Sequence, residues 1–210
     1  MPLNLALDAA LLEKVMAAGE RTGITPRIHV EVDTGMTRGG VLNEWPVFLK
    51  KVSAATLSEK VELVGFFSHF ARADEPQELA NEMQLKKFTN LLSELKATGV
   101  TPKYLHFANS AAALSNPNAT FDFVRLGIAM YGLSPDVKTM GSSKELGLIP
   151  AMTLRAKLHL VKEVPAGAAV GYGGSAITTV ESKVGVVAMG YADGIPRNAD
   201  SSTGVFFDGE

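Results

Sequence analysis

Over its first two-thirds the chain alternates between a helical apolar period of about 3.6 residues and a strand period of about 2, and that alternation limits the fold more than any single residue does. Leu7, Leu11, Leu12 and Val15 share a helical face that ends near Gly19 or Gly23, so the N-terminus is expected to open directly into a helix. Residues 28–33 then alternate apolar and polar side chains before the turn Thr34-Gly35-Met36. Asn43 is a candidate cap for a helix with Trp45, Phe48, Leu49 and Val52 on one face, and residues 61–67 form an apolar run of strand length. Leu85, Phe88, Leu92 and Leu95 mark another helix, stopped by Gly99. A short strand to about His106 and a helix from Asn109 follow, and residues 121–124 lead into an arginine-bearing turn. Such repetition predicts parallel βα units, hence an α/β fold. The units number about half of what an eight-stranded barrel needs, so residues 1–135 read as a partial (β/α)8 barrel of TIM type.

The pattern changes after residue 135. Residues 136–150 are richer in glycine, serine and proline, as in an interdomain linker. Beyond them Leu154, Ala156, Leu158 and Leu160 alternate with Arg155, Lys157 and His159, which predicts a half-buried antiparallel strand. Residues 184–189 form a second apolar strand. Residues 151–210 therefore read as the start of a mostly antiparallel β-domain.

Composition narrows the chemistry. A formal net charge of −2 supplies no electrostatic case for nucleic acid or an anionic membrane surface. With no cysteine there is no disulfide, thiol nucleophile or thiolate metal site, and no metal site is expected; a cytoplasmic setting fits. The sequence contains neither an apolar run near membrane-spanning length nor a signal-peptide pattern.

Three polar motifs fall where strands give way to loops: Asp33-Thr34-Gly35-Met36-Thr37-Arg38, Ser68-His69-Phe70-Ala71, and His106-Phe107-Ala108-Asn109-Ser110-Ala111. In βα barrels functional groups collect at the carboxyl ends of the strands, where the loops converge. A buried ring bonded to backbone would place a histidine at such a position equally well.

Six blocks in this order decide between those readings: Val32-Asp33-Thr34-Gly35-Met36 with Arg38; Ser68-His69-Phe70-Ala71 with Asp74; Asn109-Ser110-Ala111; Arg125-Leu126-Gly127; Gly171-Tyr172-Gly173; and Gly190-Tyr191-Ala192-Asp193-Gly194. Together they resemble the alanine racemases, fold-type III enzymes dependent on pyridoxal 5'-phosphate (PLP). The resemblance covers nearly the whole chain. It implies that Arg125 faces the pyridine nitrogen of PLP, where a permanently charged, donor-only group disfavours a proton. It implies that Asn109, Ser110, Gly127 and Ile128 hold the cofactor, the last three at its phosphate. Tyr172 matches the tyrosine that moves the substrate's α-proton on one face, and His69 the histidine linking it to Arg125. The family's tyrosine comes from the other subunit, which implies a homodimer. Arg38 and Tyr191 match substrate-binding positions, and Asp74 and Arg197 line the entryway. Glu31 stands where many members carry a carbamylated lysine, and is expected to replace the carbamate as partner of Arg38. Alternatively it lies with His29 and Asp33 on the polar face of its strand.

The family's PLP-bearing lysine, in a Lys-Ala-Asn-Ala-Tyr-Gly-like motif, has no counterpart among the 210 residues. That lysine is also the second acid–base group of the two-base mechanism. The expectation is an internal fragment, lacking the lysine segment and the C-terminal end and inactive alone, whose parent interconverts L- and D-alanine for cell-wall precursors. Other readings are a serine or broad-specificity racemase, a decarboxylase of the same plan, a non-catalytic PLP-binding protein, and a short product acting through dimerisation. The arginine motif opposes the decarboxylases, and the β-rich region opposes a lone-barrel PLP carrier.

Overall fold

Four parallel strands, each followed by a helix, carry the first part of the chain. The structure, a computed structural model, describes residues 3–6, 8–199, 204–205 and 207. In order come β1 (Leu3–Ala6), α1 (Ala9–Thr22), β2 (Arg27–Glu31), α2 (Trp45–Leu57), β3 (Glu62–Phe67), α3 (Leu79–Ala97), β4 (Tyr104–His106) and α4 (Ser110–Ser115). The sheet order is β1-β2-β3-β4, with every pairing parallel. Chain order equals spatial order, so all crossovers step in one direction.

Two local expectations are corrected within these elements. The chain opens in β1 rather than a helix: Leu3 to Ala6 pair in register with Arg27 to Val30. Four residues are too few for periodicity to separate a strand from a helical turn, and the pairing to β2 decides. Helix α1 starts after Asp8, whose carboxylate accepts the Leu11 amide at 2.6 Å, and ends at Gly23 with φ 66°. Leu7, counted on its apolar face, lies outside the described residues. Helix α2 is preceded by Glu44, not capped by Asn43. Pro46 occupies its first turn without an N–H, which removes one donor that a capping side chain would satisfy.

Helix α3 presents Phe88, Leu92 and Leu95 to the core, and Gly99, with φ 87°, follows its end. Phe48, Phe66, Phe88 and Phe107 are fully buried. Phe88 lies 5.2 Å from Phe66 and 5.0 Å from Phe107 between ring centroids, and Phe70 stacks on Phe107 at 3.9 Å. Each such side chain contributes about 1.5–3 kcal/mol of burial free energy.

Residues 1–152 form one compact unit and 153–210 another. Within the first unit residues 137–140 form a short helix, α5 (Val137–Met140), and the Thr139 hydroxyl donates to the Asp74 carbonyl. In the second unit β5 (Leu158–Val164) pairs antiparallel with β8 (Ser182–Val187), and β6 (Ala169–Val170) with β7 (Ala176–Ile177). The expected strand from Leu154 starts at Leu158 instead, because Leu158 already faces Val187, the last residue of β8.

Candidate active site

Strand β2 reads Arg-Ile-His-Val-Glu, and both of its faces are covered. Ile28, Val30 and Val32 are 0–1% exposed, while on the opposite face His29 and Asp33 are 4–5% exposed. A parallel sheet is buried on both sides, so alternation here does not separate core from water. It separates the hydrocarbon core from an interior polar face, and the candidate site grows from that face.

The carboxyl ends of β2, β3 and β4 bring Glu31, Ser68, His69 and His106 toward Arg125 in the turn after α4. The Arg125 guanidinium donates from Nη1 to His106 Nδ1, and from Nη2 to the Ser68 carbonyl at 2.7 Å and to His69 Nδ1 at 3.1 Å. It also lies over the Phe67 ring at 5.0 Å. His106 is sandwiched between Phe67 at 4.5 Å and Phe123 at 4.3 Å, and its Nε2 lies 2.8 Å from His29 Nδ1. The backbone-bonded alternative for a strand-end histidine therefore does not describe His106: its partners are side chains.

Electrostatics follow from this crowding. Burial, reinforced by the Arg125 and Arg38 charges, pushes His69 down to about 4. Burial, Arg125 and His29 push His106 down to about 3. His29 is lowered by burial and by Arg27 and Arg125. All three rings are neutral at neutral pH. Burial raises the Glu31 carboxyl, while Arg38 and Arg125 pull it back. Glu31 and Arg38 form no direct ion pair among the described residues. Instead the Glu31 carboxylate packs over Gly39, where an added Cβ would sit 3.2 Å from Oε2.

Ser110 and Asn109 divide the labour at the start of α4. Asn109 is the cap, its Oδ1 accepting the Ala112 amide at 3.0 Å. The Ser110 hydroxyl, buried, accepts the amides of Gly127 at 2.8 Å and Ala129 at 3.3 Å. Ile128 begins a 3-10 turn (Ile128–Tyr131) and is 43% exposed; the Ser110 hydroxyl takes the amides on either side of it. Asp74 is half-buried and Arg38 exposed. Tyr172, Tyr191 and Arg197 belong to the second unit and are all exposed there. Tyr172 sits in a turn whose Gly171, Gly173 and Gly174 have φ of 72°, 76° and 61°, and its side chain is fully exposed.

One residue at the site, Gln84, had no sequence signal of its own, although the Thr34, Ser68 and Asp33 it works beside lie in the strand-end motifs. Gln84 of α3 donates to the Thr34 hydroxyl at 3.0 Å and the His69 carbonyl at 3.1 Å, and accepts the Ala71 amide at 2.9 Å. Thr34 in turn meets Ser68 at 2.8 Å. This buried polar clamp fixes the His69 backbone from behind. Asp33 accepts the amides of Gly35, Met36 and Thr37 at 2.8–3.2 Å, which fixes the loop leading to Arg38.

Comparison with known proteins gives the family. The family model described as "Alanine racemase, N-terminal domain" matches residues 7–135, and "Alanine racemase, C-terminal domain" matches residues 151–210. The chain belongs to the alanine racemase family. The alanine racemase of Salinispora tropica is 44% identical over 196 residues, 93% of this chain and 51% of the relative. The crystal structure of alanine racemase from D-cycloserine-producing Streptomyces lavendulae matches with a TM-score of 0.92 and 42% identity, over 99% of this chain and 55% of that one. The Bartonella henselae alanine racemase, solved with covalently bound pyridoxal phosphate, matches with a TM-score of 0.74 and 29% identity, over 94% of this chain and 51% of that one. The chain spans about half the length of the curated alanine racemases it matches.

Proposed function

We propose that this chain is the part of an alanine racemase that grips PLP at its phosphate and pyridine nitrogen and that carries the acid–base tyrosine. The four βα units are then half of an eight-fold barrel, and residues 151–210 part of the β-domain. The observation that carries the reading is the guanidinium of Arg125, lodged by His106, His69 and the Ser68 carbonyl with three of its five N–H groups committed.

The residues fit the cofactor. The two remaining N–H groups of Arg125 suit an unprotonated ring nitrogen. The Ser110 hydroxyl, already accepting two amides, keeps its own hydrogen for a phosphate oxygen. When bound, PLP supplies an electron-withdrawing ring that acidifies the Cα–H of an amino acid. Arg125 moderates that withdrawal, because a fixed cation opposes protonation of the ring nitrogen. His69, accepting from Arg125 through Nδ1, carries its hydrogen on Nε2 and offers it to a phenolic oxygen. That bond favours the phenolate and so lowers the cost of using Tyr172 as a base. The exposed phenol of Tyr172 is free to enter the site of a second copy, which makes the active form a homodimer. Glu31 supplies the negative charge between Arg38 and Arg125 that a carbamate supplies elsewhere, acting through the field rather than a direct ion pair. Arg38 and Tyr191 contact the substrate, and Asp74 and Arg197 the entryway. The substrate is alanine, as the names of the relatives indicate, with D-alanine serving cell-wall precursors.

Racemisation of L-alanine by the full-length protein that contains this chain tests the proposal. Arg125→Leu is expected to lower the rate by about 10²-fold or more, as for loss of a preorganised charged donor. The 210 residues alone are expected to yield no D-alanine. An unchanged rate in the variant, or turnover by the isolated chain, would overturn the reading.

A further inference from the structure

Behind Arg125 runs a chain of buried imidazoles whose hydrogens have only one consistent arrangement. A guanidinium donates and never accepts, so His106 Nδ1, bonded to Arg125 Nη1, must present a lone pair. A neutral imidazole carries one N–H, which therefore sits on His106 Nε2. That nitrogen lies 2.8 Å from His29 Nδ1, so it donates there and His29 Nδ1 is also a lone pair. The hydrogen of His29 is left on Nε2, a buried atom without a partner among the described residues. The same reasoning from Nη2 places the His69 hydrogen on Nε2.

We propose that His29 and His106 are positioning residues for Arg125, a relay in which the guanidinium orders both imidazoles as Nε2–H tautomers and the ordered rings in turn hold the guanidinium. The relay is built into the sheet. His106 is stacked between Phe67 and Phe123, and Phe67 also lies beneath the guanidinium. The His29 ring rests on Gly65 of the neighbouring strand, where an added Cβ would fall 2.4 Å from Nδ1. Moving the His106 hydrogen to Nδ1 would set an N–H against an N–H of Arg125 and a lone pair against a lone pair of His29, and moving the His29 hydrogen to Nδ1 would set an N–H against the N–H of His106. A protonated His106 would do the same with a second positive charge beside the first. The depressed basicity of His106 is what such an arrangement requires. The inference depends on the proposed function only for the acceptor that the remaining two N–H groups of Arg125 face; the tautomers stand without it.

Two-bond ¹H–¹⁵N correlation spectra of the 210-residue chain, labelled in histidine and without PLP, read the tautomers directly. Each of His29, His69 and His106 is expected to show a pyrrole-like Nε2 and a pyridine-like Nδ1 at neutral pH, while the exposed His159 gives exchange-averaged signals. In Arg125→Leu the order of all three is expected to be lost. In His106→Asn, whose amide oxygen can replace Nδ1 as acceptor, His69 keeps its pattern and His29 becomes averaged. An Nδ1–H or charged form of His29 or His106 in the unsubstituted chain would overturn the relay, as would unchanged tautomers in Arg125→Leu. Should Arg125→Leu fail to fold, the unsubstituted spectrum and His106→Asn still decide. The racemisation assay on the full-length protein distinguishes the two ideas: ordered tautomers together with an unchanged rate in Arg125→Leu would sink the proposed function and leave the relay intact.

Discussion

The two units of this chain place comparable side chains in opposite circumstances. In the first, strand residues are covered on both faces, and the polar ones are buried against one another: His29, Ser68, His106 and Ser110 are all 6% exposed or less. In the second, Leu158, Leu160 and Val161 of β5 are 42–49% exposed and Tyr172 is wholly so. The first unit holds its functional groups by internal contacts, and their chemistry follows from those contacts. The second presents its groups on short antiparallel ladders, so their chemistry depends on what they meet.

That contrast can be broken at its strongest point by emptying the first unit's core. Phe88→Ala is expected to cost about 3–5 kcal/mol in urea denaturation, since Phe66, Phe107 and Phe121 pack around the ring. A loss under about 1 kcal/mol would mean the aromatic cluster is not the core described. Gly65→Ala comes next. Its methyl group would drive the His29 ring off its strand, at about 1–3 kcal/mol, and altered His106 signals should accompany the loss.

Acid sharpens the comparison more gently. His69 and His106 have folded values of about 4 and about 3 against an ordinary 6.5, so below 6.5 the unfolded chain binds more protons than the folded one. Their contribution is present above pH 6.5 and is lost as pH falls toward the folded values. Each costs at most about 1.4 kcal/mol per pH unit, less for the half-buried His69 because solvent screens it. A stability profile flat from pH 6.5 to 5 would contradict the buried, neutral state of both rings. The smallest effect is expected in the second unit, where Tyr172→Phe should change stability by no more than about 0.5 kcal/mol. In the full-length protein the same substitution should abolish D-alanine formation, and retained activity would remove Tyr172 from the mechanism.

How much of this was legible in the sequence follows the same division. The long helices announced themselves through Phe88, Leu92 and Leu95, and the parallel alternation through runs such as residues 61–67, because these patterns extend over several turns or a whole strand. Strand β1 did not, since four residues carry too little period and pairing with β2 settles them. The capping of α2 was misread because Pro46 changes which amides need a partner. At the site, Arg125, His69, Ser110 and Gly127 were legible through motif order, and they lie together in the first unit. Gln84 and the His29–His106 pair were not. Their importance arises from packing between strands and helices distant in sequence, and a polar residue on a strand looks the same whether its face meets water or another buried ring. The direct Glu31–Arg38 pairing was likewise a matter of reach. Glu31 settles over Gly39, and its influence on Arg38 and Arg125 is exerted at a distance.

The slot formed by Phe67 and Phe123 around His106 has one further consequence. Both phenyl rings shade the same imidazole from opposite faces, so their ring currents add, and its carbon-bound protons should resonate well upfield of those of His159. Those lines would act as a built-in gauge: any molecule or substitution that pries the slot open would move them toward ordinary histidine positions, however far away it bound.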